Sequence, residues 1–203
     1  VFYNGPLCGA SAPDHMHFQA GSRVVVPLER DWSDFYQPHL SCILPVGEDE
    51  CVVAGNRCMA ADGMGVFSLR NYLCPGIVII TRTPHANKLL FEKLYRSLPV
   101  REGETEPMMN ILAWSQSGAT EGDERVVSVI IPRAKHRPDC YFKEGDEQVL
   151  VSPGALDMGG MLITPRKCDY DKMNAELAKS IIQECGITPE EEAEIVLKVK
   201  GGK

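Results

Sequence analysis

The chain has 203 residues, of which 44% are hydrophobic and 24% charged, with a formal net charge of −7. That composition supports a globular core in one domain or a small two-part fold. The acidic balance argues against bulk nucleic acid as a partner, and no run of about 18 apolar residues offers a membrane-spanning helix.

In chain order, Val1-Phe2-Tyr3-Asn4-Gly5-Pro6 reads as strand interior from its first residue and lacks the basic and apolar regions of a signal peptide. His15 to Ala20 alternates with the period of a strand, after a loop punctuated by Gly9 and Pro13. Short strands are predicted over 40–46 and 51–54, and a strand pair over 66–70 and 76–82, joined through Cys74-Pro75-Gly76. A helix is predicted over 85–97, with Leu89, Leu90, Leu94 and Tyr95 on one face. Arg101 to Glu106 is a charged loop. Residues 108–114 and 125–131 come next as an antiparallel pair connected by Gly118 to Asp123, and 148–152 and 160–164 as two further strands. Helix 171–185 carries a stripe of Met173, Leu177, Ile181 and Ile182 and stops at Gly186. Thr188-Pro189-Glu190-Glu191 then starts a helix over 189–198, acidic on its outer face. Strands outnumber helices and neighbour one another as hairpins, so the fold class is α+β, an antiparallel sheet with flanking helices.

Cys8, Cys42, Cys51, Cys58, Cys74, Cys140, Cys168 and Cys185 are scattered, with no C-x-x-C spacing and no secretory leader. Reduced thiols in a cytoplasm are expected, and a structural zinc site has no support. The glycine-rich Gly154-Ala155-Leu156-Asp157-Met158-Gly159-Gly160 fits neither a P-loop nor a dinucleotide fingerprint.

The chemistry concentrates in Asn4-Gly5-Pro6-Leu7-Cys8-Gly9-Ala10-Ser11-Ala12-Pro13-Asp14-His15-Met16-His17-Phe18-Gln19. On a strand His15, His17 and Gln19 share one face, and Met16 and Phe18 the other. The small-residue loop before them lets backbone N–H groups approach an anion, and Ser11 adds a hydroxyl. An imidazole attacks phosphorus when one nitrogen is bare and the other is held by an acceptor, and a neutral amide such as Gln19 can bond a phosphate oxygen without protonating it. Spacing alone leaves three readings open: a nucleophile, a metal-chelating pair at i and i+2, or surface histidines.

His-x-His-x-Gln after a Gly/Ser loop and an upstream Asn-Gly resembles the active-site strand of the histidine-triad superfamily, in its nucleotidyltransferase and phosphorylase branch. That branch includes galactose-1-phosphate uridylyltransferases, diadenosine tetraphosphate phosphorylases and plant GDP-galactose phosphorylases. The resemblance implies His17 as the nucleophile, Gln19 as a contact of the nucleotidyl phosphate, His15 as an orienting residue, and Asn4, Gly9 and Ser11 as phosphate or ribose contacts. Asp14 is one residue extra before the first histidine relative to the uridylyltransferase pattern. Val151 to Lys167, with Asp169-Tyr170 just beyond, resembles a segment of the GDP-galactose phosphorylases. It departs at Leu156-Asp157, where Trp-Glu is expected, and at Gly160-Met161, where Gly-His is expected. With residues 108–143 it also resembles bacterial relatives of those phosphorylases.

These likenesses imply a single histidine-triad-like region over 1–203, with the active-site strand and its adjoining segment in 1–39 and a second half in 40–203. The strands that hold the nucleoside in that superfamily precede the histidines, so the chain is expected to be the C-terminal part of a longer protein. They imply a cytoplasmic nucleotidyltransferase or phosphorylase working through a nucleotidyl-histidine. Its substrates would be a nucleotide or nucleotide-sugar and a phosphate or sugar phosphate, with Mg2+ accompanying the nucleotide and a homodimer as the assembly. Two rivals stand beside it: a metal-dependent hydrolase with the histidine pair as ligands, and a non-catalytic nucleotide-binding protein.

Pro132-Arg133-Ala134-Lys135-His136-Arg137-Pro138 is the densest basic cluster, at a strand end. Arg133, Lys135 and Arg137 are candidate clamps for a sugar phosphate or pyrophosphate, with His136 a weaker candidate general acid, against the plain reading of a solvated turn. Arg166-Lys167 reads as solvated, His85 as structural, and His39 has no partner that the sequence names. Trp32, Phe35 and Tyr36 read as packing residues.

Overall fold

The strand Gly76–Thr81 is apolar at nearly every position, and so is the second half of Glu124–Pro132. An antiparallel strand with one wet face would alternate, so runs of this kind indicate a sheet covered on both sides. The computed structural model shows that arrangement. It describes residues 1–10, 16–45, 53–54, 57–58, 63–117 and 122–201, with the backbone alone at 53–54 and 57–58.

The strands are β1 (Phe2–Asn4), β2 (Phe18–Gln19), β3 (Ser41–Pro45), β4 (Val53–Ala54), β5 (Arg57–Cys58), β6 (Gly65–Leu69), β7 (Gly76–Thr81), β8 (Met109–Ser117) and β9 (Glu124–Pro132). Among the described residues, seven of them form one antiparallel sheet in the order β2-β1-β8-β9-β7-β6-β3, and β4 pairs with β5 apart from it. The helices are α1 (Pro27–Arg30), α2 (Pro84–Tyr95), α3 (Ala155–Met158), α4 (Lys167–Lys172), α5 (Ala175–Cys185) and α6 (Pro189–Val199). The fold is α+β.

Register sorts the side chains into two cores. Val78 faces Val129, which faces Leu112, which faces Phe2, and this row packs under Leu28 of α1, Trp32, Met158 of α3 and Ile182 of α5. The alternate row, Ile77, Ile130, Ile111 and Tyr3, packs under Leu94 of α2 and Ile195 and Val199 of α6. One polar pair enters these layers where Ser128 donates to Asn87 of α2 at 2.9 Å.

Several local expectations hold. β6 and β7 pair from Gly65↔Ile80 to Leu69↔Gly76, and β8 and β9 from Met109↔Pro132 to Ser117↔Glu124. The Thr188 side chain accepts from Glu191 N while Glu191 accepts from Thr188 N, closing the capping box that starts α6. The expected helix 171–185 divides, because Asn174 caps a new helix by accepting from Leu177 N at 3.0 Å. The expected face of α2 is also shifted: Leu89 is exposed, and Asn87 and Leu94 are the buried positions.

Residues 148–152 and 160–164 are a correction, since neither segment is a strand. Their backbone donors go to carbonyls outside the sheet, as Val149 N to Cys140 O and Met161 N to Leu156 O, and in each segment one goes to a buried carboxylate. Leu150 N donates to Asp169 at 3.2 Å and Ile163 N to Asp157 at 2.7 Å.

Candidate functional site

β1 carries the start of the motif into the sheet between β2 and β8, and its Asn4 anchors the loop beyond it. Asn4 Oδ1 accepts from Asn110 Nδ2 at 2.9 Å and from Ala155 N, the first residue of α3, at 2.6 Å. Past Asn4 the chain turns, with Cys8 N donating to Gly5 O and Leu7 and Gly9 both at positive φ. Gly9 has φ +80°, and a Cβ there would lie 2.6 Å from Gly154 Cα and Pro153 O. Only glycine lets these two backbones touch.

Asn110 is the hub. Its Nδ2 also donates to Cys8 O at 2.8 Å, and its Oδ1 accepts from Arg133 Nη1 at 2.6 Å. Asn110 is 0% exposed and Arg133 2%. Arg133 spends its five N–H donors on Asn110 and on the carbonyls of Cys185, Pro153, Lys135 and His136. Three segments far apart in sequence are thereby tied into one buried network: the loop of the motif, the glycine-rich segment at 153–155, and the basic cluster.

This placement corrects the expectation for Arg133. A guanidinium with every donor taken has none left for a phosphate, and its role is to hold these three segments together. Lys135 is also committed, to Asp139 at 2.8 Å and Glu184 at 2.5 Å, two partners that keep its ammonium above the usual lysine range. Arg137 donates to Ser152 at 3.0 Å and lies 4.3 Å over the Tyr141 ring. Burial, then the charges of Arg137 and Arg133, lower His136 below the ordinary histidine value, which favours neutral imidazole. Asn4 and Gly9 likewise hold the loop in place. Ser11 and His15 lie outside the described residues.

β2 forms the edge of the sheet, with Gln19 opposite Phe2 and Phe18 opposite Tyr3. Phe18 sits 5.3 Å from the Tyr3 ring and is otherwise exposed. Gln19 therefore shares the sheet face of Phe2, Asn4 and Asn110, and its side chain is exposed. His17, two residues earlier and half-buried, lies just before this strand.

The model of a domain of unknown function, DUF4922, matches residues 1–22. That segment runs from β1 through the loop to β2 and contains both histidines and Gln19. No curated protein and no solved structure matches the chain.

Sequence reasoning missed Asn110 and Asp157 as organising residues. The signal for the first was legible: one asparagine inside Met108-Met109-Asn110-Ile111-Leu112 must find partners when it is buried. Asp157 lies in α3, buried, where it accepts from Gly154 N and Ile163 N. Burial raises its pKa, opposed by those bonds and by the nearby Arg133 charge. Cys8 sits in the motif loop, yet burial pushes its thiol up to about 11, leaving it protonated and unreactive at neutral pH. His39 has a partner the sequence did not name, Phe35 O at 2.7 Å, and Trp32 packs as expected, edge to face with Trp114 at 5.2 Å. The six cysteines with described side chains are free thiols. No helix among the described residues is long and apolar enough to cross a membrane.

Proposed function

We propose that the chain has a histidine-triad-like site and transfers a nucleoside monophosphate between phosphates through His17. In the first step an unprotonated imidazole nitrogen attacks the α-phosphorus. A P–N bond forms, the P–O bond to the departing phosphate breaks, and that group leaves with the electron pair. An acceptor phosphate oxygen then attacks the same phosphorus and the P–N bond breaks, restoring the imidazole. Gln19 donates from its amide to an equatorial oxygen in both displacements, and the charge spread over those oxygens makes positioned dipoles the main source of rate.

The observation that supports the reading is Gln19 on the edge strand, on the face that also holds Asn4, with His17 just before that strand. The start of the motif loop is fixed at Cys8 by Asn110 and at Gly9 by contact with Pro153 and Gly154. A half-buried imidazole beside an exposed amide fits a group that must meet a phosphate and also be oriented.

Incubation with nucleotides labelled at the α-phosphate tests it. The wild type should hold acid-labile label that His17→Ala does not, and Gln19→Ala should slow labelling about 100-fold. Equal labelling of His17→Ala, or an unlabelled wild type across the four common bases, would overturn the proposal.

A further inference from the structure

A groove of about 740 Å3 opens on the same sheet face as Gln19, and Ala20, the next residue, lines it. That volume lies in the range of small-molecule sites, roughly 300–1,000 Å3. Phe2, Leu112 and Trp114 contribute from the sheet, Leu156 and Met161 from α3 and the segment after it, and Val25 from the stretch between β2 and α1.

That last stretch is built rather than slack. Val24 has φ +63°, a left-handed backbone that a β-branched residue adopts only under constraint. The constraint is Glu29, 12% exposed, which accepts from Val24 N at 3.0 Å and from Arg23 Nε at 3.1 Å. Arg23 is thereby held at the rim, 61% exposed, and among the described residues its two Nη groups take no partner.

The lining is mostly apolar and carries an indole, and its charged members are Arg23 and Glu29, bonded to each other. Sugar hydroxyls and phosphates would find few partners inside, whereas a flat heterocycle would bury both faces and keep its polar edge outward. We infer that this groove takes the nucleobase of the nucleotide, laid along Trp114 and Met161, with Arg23 donating to acceptor atoms on the base edge. The inference rests on the nucleotidyl-transfer reading of His17. It places base selection within this chain, although the family resemblance puts the nucleoside-holding strands before residue 15.

Quenching of tryptophan fluorescence, titrated with AMP, GMP, CMP, UMP and ribose 5-phosphate, tests the groove on the 203-residue chain. At least one nucleoside monophosphate should bind at least about tenfold more tightly than ribose 5-phosphate. Met161→Glu and Arg23→Ala should each weaken that binding about tenfold or more, with thermal melts confirming that both variants fold. Arg23 is exposed, so its variant keeps the test readable should Met161→Glu fail to fold. His17→Ala should retain the binding. Failure of every nucleoside monophosphate to outbind ribose 5-phosphate, or binding unchanged in the folded variants, overturns the groove assignment. α-Phosphate labelling separates the two readings: label lost in His17→Ala but unchanged in Met161→Glu sinks the groove alone, and base binding without any label sinks the nucleophile alone.

Discussion

Arg133 is a cation with no carboxylate among its hydrogen-bond partners, satisfied by one amide oxygen and four backbone carbonyls. Removing it would strand Asn110 Oδ1 and Pro153 O in the interior and untie the Cys185, Lys135 and His136 carbonyls. Arg133→Met is therefore expected to destabilise the protein by about 3–5 kcal/mol, read as a lower denaturant midpoint at an unchanged slope. Asp169 is the opposite kind of buried charge. It is fully enclosed and accepts two bonds from Arg166, at 2.7 and 2.8 Å, and one from Leu150 N. The bonds from Arg166 hold its carboxyl below the ordinary aspartate value. A depressed carboxyl stabilises fully above its unfolded pKa of about 3.9, and the contribution disappears as pH falls through the lower folded value. Denaturation midpoints taken from pH 5 down to pH 2 should show a steeper acid loss in the wild type than in Asp169→Asn.

Among the elements, the motif loop and α6 show two ways in which local sequence sets local structure. Gly9 combines positive φ with backbone contact to Pro153 and Gly154, so Gly9→Ala must distort one of the two segments. The expected cost is about 1–3 kcal/mol, with weaker amide-exchange protection over residues 5–10 as the local signature. At α6 the Thr188 cap acts independently of the rest of the fold, and Thr188→Ala should cost about 1 kcal/mol in thermal or chemical unfolding. The strand predictions for 148–152 and 160–164 failed for a reason visible at this scale. Both segments have strand-like composition, but Asp169 takes the Leu150 N–H, Asp157 the Ile163 N–H, and carbonyls outside the sheet take others. The acceptor for Leu150 lies 19 residues away in the chain, outside the reach of a local pattern.

For the whole molecule, the sheet is the middle of three layers, and its central strands are buried on both faces. Ile79, at 0% exposure in the layer under α2 and α6, is a direct probe of that arrangement. Ile79→Ala should cost about 2–5 kcal/mol in denaturant unfolding, since an enclosed site collapses little around a lost side chain. The candidate site sits where this covering ends: β2 is an edge strand, and the groove beside it reaches Leu112 and Trp114 of β8.

The sequence alone determined the α+β class, the hairpins β6–β7 and β8–β9 and the capped start of α6. Each arises from residues close together in the chain, where periodicity, capping and turn chemistry act. The tertiary structure decided that Arg133 is buried, that Asn110 links Asn4 to the glycine-rich segment, and that a groove lies beside Gln19. Those outcomes depend on which distant segments meet, and burial turns a surface-looking arginine into a strut whose donors are all spent inside the fold.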